Sequence, residues 1–112
     1  MVKFTYLVLT NAVPGREEEF NRWYTEQHLP DVLRVPGVVS AQRFSRTEQQ
    51  RKAGPHPWQY LALYNCEAAD PQVVTDGIQA HVNTAEMQMS DTVGDVKYGC
   101  YFEPITEVIR SK

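Results

Sequence analysis

Hydrophobic and polar residues alternate with a period of two in four segments of the chain and with a period near 3.6 in two others. Period-two alternation is typical of strands, and the longer period is typical of amphipathic helices. One helix is predicted between Gly15 and Pro30, and the other over about residues 71–88. The strands are predicted over about residues 3–11, 38–45, 58–66 and 96–105. The order β-α-β-β-α-β predicts an α+β, ferredoxin-like βαββαβ protomer, in which a four-stranded antiparallel sheet carries both helices on one face.

The ends of both helices carry sequence signals. Pro30 cannot continue the first helix without losing a backbone hydrogen bond, so we expect residues 31–35 to form a separate turn and His28 to lie near a helix end. Asp70 and Pro71 are expected to be the cap and the first residue of the second helix. The inner stripe of that helix is predicted to consist of Val74, Ile78, His81, Val82, Ala85 and Met89.

The third strand is apolar on both faces, as a central strand requires. One face carries Trp58, Tyr60, Ala62, Tyr64 and Cys66, and the other carries Gln59, Leu61, Leu63 and Asn65. A sheet with helices on one face must bury its second apolar face elsewhere, and a second copy of the chain is the simplest cover. We therefore expect one domain over residues 1–112 that forms a homodimer, sheet against sheet, with aromatic residues of the third and fourth strands in the interface.

Composition narrows the classes of partner. The chain has 112 residues and a net charge of -3, and its acidic and basic residues are interspersed, so no basic face is available to bind phosphates. Nucleic acid is therefore not an expected partner. The apolar N-terminal run is too short for a signal or membrane segment, which predicts a cytoplasmic protein without a membrane partner. Cys66 and Cys100 stand singly at the ends of strand-like runs, which is typical of reduced thiols.

The most informative chemistry lies on one face of the first helix. Helical spacing places Phe20, Trp23, Tyr24, Gln27 and His28 together there. An aromatic face that ends in an imidazole suits the wall of a ligand pocket. His28 is the leading catalytic candidate, because an imidazole with an ordinary pKa of about 6.5 can accept or donate a proton near neutral pH. The alternative is a structural histidine that bonds a backbone carbonyl at the helix end.

Residues close to His28 in the sequence have candidate roles of their own. Tyr24, one helical turn earlier, either hydrogen-bonds a substrate or orients the imidazole, or it forms the pocket wall together with Trp23 and Phe20. Asp31 either fixes the tautomer of His28 in a catalytic pair or is an ordinary turn residue after proline.

Strand residues supply further candidates for binding a substrate. The phenols of Tyr60, Tyr64 and Tyr101 can hold a carbonyl or hydroxyl group, or they fill the dimer barrel instead. Arg43 can stabilise a developing oxyanion or a carboxylate, or it takes part in a surface ion pair. Gln42 and Arg43 point to opposite faces of the sheet, so at most one of them lines a given cavity wall.

Metal and cofactor sites have little support in the sequence. His28 and Asp31 have helical spacing, but a proline interrupts it and no third ligand is evident, so we expect no metal. His81, on the second helix, is a candidate haem ligand, but no haem-binding motif accompanies it, and no cofactor is expected. The polar segment 46–57 is interpreted as an exposed loop, either a lid over the pocket or an arm at the dimer edge.

Several short segments resemble EthD-like members of the dimeric α+β barrel superfamily. They are Val13-Pro14-Gly15, Glu19-Phe20-Asn21-Arg22-Trp23-Tyr24, His28-Leu29-Pro30, Pro36-Gly37-Val38, Arg43-Phe44 and Tyr60-Leu61-Ala62-Leu63-Tyr64. The resemblance implies a homodimer of ferredoxin-like protomers, with a cavity between the sheet and the first helix of each subunit. The superfamily includes cofactor-free monooxygenases, polyketide cyclases, lactone isomerases, a hydroxynitrile lyase and haem-degrading enzymes, so membership does not decide the reaction.

The residues and the resemblance together favour a cofactor-independent enzyme that acts on a small apolar aromatic or polyketide-like carbonyl compound. In this hypothesis His28 moves a proton while a tyrosine holds the oxygen, in a reaction of the cyclase, isomerase, lyase or monooxygenase type. The main alternative is a non-catalytic EthD-like protein that binds a small molecule in a catabolic pathway. A further alternative is a haem-binding protein.

Overall fold

The predicted order of strands and helices is confirmed in a computed structural model, which describes all residues from 1 to 112. The strands are β1 (Val2–Ala12), β2 (Val38–Ser45), β3 (Tyr60–Ala68) and β4 (Val93–Phe102). They form one sheet in the order β2-β3-β1-β4, and every neighbouring pair is antiparallel. This is the predicted α+β, ferredoxin-like architecture. β3 begins at Tyr60 rather than at Trp58, and β4 ends at Phe102 rather than at Ile105.

The two faces of the sheet differ in what covers them. The helices lie on the inner face, where the side chains of Phe4, Ala62, Tyr64, Cys66 and Ala68 are buried. The register pairs Tyr6 with Tyr64 on this face and Leu7 with Leu63 on the other. We call the second face the outer face; no helix of this chain packs on it. Its side chains include Leu7, Leu9, Phe44, Leu61, Leu63, Tyr98 and Phe102.

The first helix does not end before Pro30, so that prediction was wrong. The backbone runs from α1 (Glu17–Trp23) through a π-helical turn (Tyr24–His28) into α2 (Leu29–Leu33). In the π turn the N–H of Leu29 donates to the carbonyl of Tyr24, five residues earlier. A proline inside an α-helix clashes with the carbonyl four residues before it, and a wider turn relieves that clash. His28 therefore lies within a long helix, and residues 31–35 do not form a separate turn.

The second helix, α3 (Pro71–His81), ends seven residues before the predicted end at residue 88. Asp70 is its cap as predicted, since its side chain accepts a hydrogen bond from the N–H of Gln72 at 2.8 Å. Asn83 has a positive φ of 64°, a conformation that asparagine tolerates and that turns the chain out of the helix.

The early end of α3 changes which residues enter the core. Val74 is buried, and Ile78 and Val82 pack partly against the core, as the predicted stripe requires. Ala85 and Met89 are exposed, so the last part of that prediction was wrong. Met87, in the irregular segment after the helix, is buried instead. No helix of the chain is both long and apolar enough to cross a membrane.

The loop 46–57 contacts the end of β1 rather than the first helix. The side chain of Asn11 donates to the carbonyl of Pro57 at 3.0 Å, and Arg46 donates to the carbonyls of His56 and Trp58. All residues of the loop are exposed. These hydrogen bonds hold the loop beside the end of β1.

Gly77 lies where α3 meets the chain just after α2. A Cβ atom built on Gly77 would lie only 2.6 Å from Cγ1 of Val35, whose side chain is buried. In an open helix a Gly→Ala change stabilises by roughly 1 kcal/mol. Here we expect Gly77→Ala to destabilise the protein by about 1–3 kcal/mol, because overpacking must displace Val35. Urea unfolding measures the change, and Gln79→Ala on the exposed side of the same helix is the control. A gain in stability for Gly77→Ala would contradict this close contact.

Candidate functional site

A widened helical turn brings an imidazole and two aromatic rings together. In an α-helix, residues five positions apart point about 140° apart around the axis, so Trp23 and His28 would not meet. In the π turn their rings stack, with centroids 4.7 Å apart and an interplanar angle of 23°. The ring of Tyr24 meets the same imidazole edge to face at 4.8 Å. Gln27, predicted on this face, is exposed and donates to Oε1 of Gln88 at 3.4 Å.

The imidazole of His28 has a buried nitrogen that no protein group satisfies. Its Nδ1 is shielded from solvent and has no hydrogen-bond partner. Burial, which is the largest cause, and the charge of Arg43 lower the pKa of His28 from 6.5 to about 4, while Asp31 opposes the shift. His28 is therefore neutral near pH 7. The unpartnered Nδ1 can serve a bound molecule as a hydrogen-bonding or proton-accepting group.

Asp31 influences His28 by its charge but does not bond it. Oδ1 of Asp31 accepts a hydrogen bond from Nη2 of Arg34 at 2.6 Å. These residues are three positions apart on the continued helix, where side chains face each other. Of the two alternatives for Asp31, the hydrogen bond to His28 is not formed, because the helix continues through Pro30 and the carboxylate of Asp31 binds Arg34 instead.

Two buried phenols meet between this helix and the sheet: Tyr24 belongs to the π turn and Tyr64 to β3. The hydroxyls of Tyr24 and Tyr64 are 2.9 Å apart, and either can donate to the other. Burial raises the pKa of each phenol above its ordinary value, so both stay protonated near neutral pH. One of the two hydroxyl protons forms the hydrogen bond between the phenols, and the other proton is free to be donated to a ligand. The pair therefore offers one O–H donor to a carbonyl or an oxyanion.

Arg43 reaches from β2 across the sheet edge to the first helix. Its Nη2 donates to Oδ1 of Asn21 at 2.8 Å, and its Nη1 donates to the hydroxyl of Thr25 at 2.9 Å. The guanidinium carbon lies 4.5 Å from the ring centroid of Tyr24. Burial lowers the pKa of Arg43, and nearby phenols oppose that shift. The alternative of a surface ion pair for Arg43 does not hold, because its partners are uncharged.

Tyr60 and Phe20 complete the wall near Arg43. The rings of these two residues are 5.1 Å apart, and the hydroxyl of Tyr60 accepts a hydrogen bond from Nδ2 of Asn21 at 3.1 Å. Phe20 is fully buried, with 0% of its surface exposed. The side chain of Phe20 is therefore part of the apolar wall of the site and offers no polar group to a ligand.

Asn21 was not predicted as a site residue from the sequence, although its side chain binds both Arg43 and Tyr60. The signal was present, because Asn21 and Thr25 are four residues apart and so share a polar stripe beside the aromatic face. Tyr6 was also missed. Its ring lies 6.0 Å from that of Tyr64 and so continues the aromatic cluster into β1.

Tyr101 lies apart from the other candidates. Its hydroxyl and that of Thr75 on α3 are 2.7 Å apart, and its ring contacts Tyr6 at 4.7 Å. Tyr60, Tyr64 and Tyr101 all lie on the inner face, so the alternative in which they fill a dimer barrel is wrong. The inner face is therefore the one that forms the candidate site.

The aromatic side chains fill the space beneath the first helix. His28 lines none of the five main surface cavities. None of these five cavities therefore corresponds to the predicted cavity between the sheet and the first helix at His28. One cavity at the sheet edge, of about 250 Å³, includes members of the cluster, and we call it the Arg43 pocket. It is lined by Asn21, Thr25, Arg43, Phe44, Ser45 and Tyr60.

The histidines outside the cluster lie elsewhere. His81 is half-buried at the end of α3, where its carbonyl accepts a hydrogen bond from Thr84. His56 is exposed in the loop 46–57. Nowhere in the chain do three or more histidine, cysteine or acidic side chains lie close enough together to hold a metal ion.

The fold and the site define a ferredoxin-like α+β protein with a buried aromatic and histidine cluster. No family model and no curated protein match the sequence. An EthD family protein from Bacillus halodurans matches the structure with a TM-score of 0.65 and 13% identity, over 93% of this chain and 100% of that one. An EthD-like protein from Ralstonia eutropha matches with a TM-score of 0.62 and 12% identity, over 96% and 97% of the two chains.

A third similar structure is a candidate antibiotic biosynthesis monooxygenase from Nitrosomonas europaea. Its TM-score is 0.63 and its identity is 11%, over 92% of this chain and 90% of that one. The predicted resemblance to EthD-like proteins is confirmed, and at these identities it shows the shared fold.

The low pKa of His28 makes the stability of the protein depend on pH. In the unfolded chain His28 binds a proton near pH 6.5, whereas in the folded chain it does so only near pH 4. The unfolded state therefore holds more protons in this window, and the free energy of unfolding falls as the pH falls from 6.5 to 4. We expect a loss of at most about 3 kcal/mol from this group. We expect His28→Gln to remove most of that loss in urea unfolding at the two pH values.

The exposed His56 provides the control for this experiment. His56→Gln should show the same dependence on pH as the wild-type protein. An unchanged dependence in His28→Gln would mean that His28 is not held neutral by the fold.

Proposed function

We propose that the protein is a cofactor-independent enzyme that acts on a small aromatic or polyketide-like carbonyl compound by acid–base chemistry. The observation that carries this proposal is the unpartnered, buried Nδ1 of neutral His28, whose imidazole contacts the ring of Tyr24, while the hydroxyl of Tyr24 pairs with that of Tyr64. A base and an oxygen-binding donor on one wall are the parts that proton transfer next to a carbonyl needs.

In the proposed reaction His28 removes a proton from a carbon or hydroxyl next to the substrate carbonyl. When the proton comes from carbon, the electron pair of the broken C–H bond moves to the carbonyl oxygen, which accepts a hydrogen bond from the phenol pair; when it comes from a hydroxyl, the pair stays on that hydroxyl oxygen, which accepts the hydrogen bond instead. The imidazolium is a stronger acid here than an exposed imidazolium, because burial disfavours its charge, so it returns the proton to the product. Reactions of the cyclase, isomerase, lyase and monooxygenase types are all compatible with such a step.

Access to His28 requires a movement in this proposal, because no main cavity reaches it. Trp23 covers one face of the imidazole, and its indole N–H donates to the carbonyl of Gln88 at 3.2 Å. Arg34 donates to the carbonyl of Glu86 at 3.1 Å. Three side-chain hydrogen bonds, from Trp23, Gln27 and Arg34, join the first helix to residues 86–88. Breaking the bond of Trp23 would let its ring move and uncover His28.

The test is turnover by the wild-type protein and by His28→Gln. Both are incubated with pooled small aromatic and polyketide-like carbonyl compounds, and substrates and products are followed by mass spectrometry. We expect turnover by the wild type and a fall of about 100-fold or more in the variant, the range typical for loss of a general base. His56→Gln is the matched control and should keep full activity. Equal turnover by His28→Gln would contradict the proposed mechanism.

A non-catalytic binding protein is the second candidate. It is favoured by the shielding of Nδ1 of His28 from solvent and by the pKa of about 4 for this imidazole, which makes it a weak base. Binding of a compound by both proteins without turnover by either would support this candidate. A haem protein would instead show a Soret absorbance that is lost in His81→Ala.

We also propose that the protein is a homodimer that pairs the outer faces of two sheets. The support is the apolar composition of that face, which this chain alone leaves open. Phe44, Tyr98 and Phe102 are 39%, 51% and 57% exposed, and the leucines of β1 and β3 lie between them. Exposed patches of this kind mark protein interfaces.

Light scattering coupled to size exclusion tests the dimer. We expect a mass of twice 12.8 kDa for the wild type and a shift towards the monomer for Leu7→Glu, which places a charge at the centre of the outer face. Leu33→Glu, an exposed apolar position on α2, is the control and should remain dimeric. A monomeric wild type would contradict the proposal.

A further inference from the structure

Arg43 is a half-buried cation without a counter-ion. It takes part in none of the four ion pairs of the chain. Its guanidinium carbon lies 4.5 Å from the ring centroid of Tyr24 and 5.6 Å from those of Phe20 and Tyr60. Aromatic faces stabilise a cation but leave its net charge uncompensated. An anion brought to this position would therefore gain a charge partner that the protein does not supply.

The hydrogen bonds of Arg43 leave part of its guanidinium free. Nη1 donates to the hydroxyl of Thr25 and to the carbonyl of Asn21, and Nη2 donates to Oδ1 of Asn21. A guanidinium has five N–H groups, so Nε–H and one N–H of Nη2 remain. These two groups are neighbours in the guanidinium plane. Two such donors match the two oxygens of a carboxylate.

The Arg43 pocket has the lining that an anion requires. Its polar groups include the hydroxyls of Thr25, Ser45 and Tyr60, and no acidic residue contributes to its wall. Phe44 supplies an apolar surface at the same place. Its volume of about 250 Å³ suits one small group or ring rather than an extended ligand.

The Arg43 pocket adjoins the candidate catalytic cluster through Tyr24. The guanidinium lies over the Tyr24 ring, whose other contacts include the imidazole of His28 and the hydroxyl of Tyr64. A molecule held at Arg43 would therefore stand beside the groups that the proposed reaction uses.

We propose that the Arg43 pocket binds the carboxylate of a small aromatic molecule, so that the substrate class is an aromatic carbonyl compound that carries an acid group. This inference rests on the proposed function for the statement that the molecule is a substrate. The binding of the carboxylate does not depend on His28.

Nuclear magnetic resonance titration with benzoate tests the binding. Benzamide, an uncharged molecule of similar size and shape, is the control ligand. We expect benzoate to shift the Nε–H resonance of Arg43 and to bind at least about tenfold more tightly than benzamide, which one charge-assisted hydrogen-bond pair supports. Arg43→Gln should abolish this preference. Arg22→Gln removes the same charge from an exposed position on α1 and should keep it. Equal binding of the two compounds, or no binding of benzoate, would overturn the proposal.

A second variant keeps the test decisive if Arg43→Gln does not fold. Ser45 is two residues from Arg43 on the same strand and lines the same pocket. Ser45→Asp places a carboxylate beside the guanidinium without removing any contact of Arg43. We expect this variant to bind benzoate about tenfold or more weakly than the wild type. Ser45→Asn is its uncharged control. Unchanged benzoate binding in Ser45→Asp would overturn the proposal.

His28→Gln separates this inference from the proposed function. If benzoate binds this variant as it binds the wild type, the carboxylate site stands whether or not turnover is ever found. Arg43→Lys keeps the charge but loses the planar pair of donors. If benzoate binding is lost in His28→Gln and unchanged in Arg43→Lys, benzoate does not bind at Arg43 and the inference fails.

Discussion

The backbone constraint at Pro30 determines the candidate site. Proline has no N–H to donate, and its ring excludes the carbonyl four residues before it from ordinary helical geometry. The chain responds with a π turn over Tyr24–His28 and continues as a helix to Leu33. The wider turn moves His28 onto the same side as Trp23, where their rings stack. Without this turn the imidazole would face away from the indole.

The electrostatics of the cluster follow from burial without acidic partners. The carboxylate of Asp31 is bound by Arg34, so neither His28 nor Arg43 has a carboxylate to pair with. The result is a neutral imidazole and a guanidinium whose charge is stabilised by aromatic rings and uncharged oxygens. Groups in such states cost folding free energy and are often found where a protein meets a ligand. This cost is the physical basis for interpreting the cluster as a site rather than as core.

The two faces of the sheet carry different kinds of side chain. Because side chains alternate along a strand, Tyr64 points to the helices while Leu63 points away. The polar and aromatic groups of the inner face meet the helices, and no helix of this chain covers the leucines of the outer face. The same alternation keeps Tyr64 and Tyr101 off the outer face, whose apolar side chains are Tyr98, Phe102 and the leucines.

The amino-acid sequence by itself determined the order of strands and helices, the two faces of β3 and the aromatic face of Phe20, Trp23 and Tyr24, because periodicity is a local property. The tertiary structure decided the rest. The π turn through Pro30, the capture of Asp31 by Arg34 and the burial of Met87 in place of Met89 each depend on hydrogen bonds and packing that local patterns do not contain. The pairing of Asn21 with Arg43 is similar, since it joins a helix to a strand 22 residues away. Sequence periodicity shows which side a residue faces, and only the packed structure shows what it meets there.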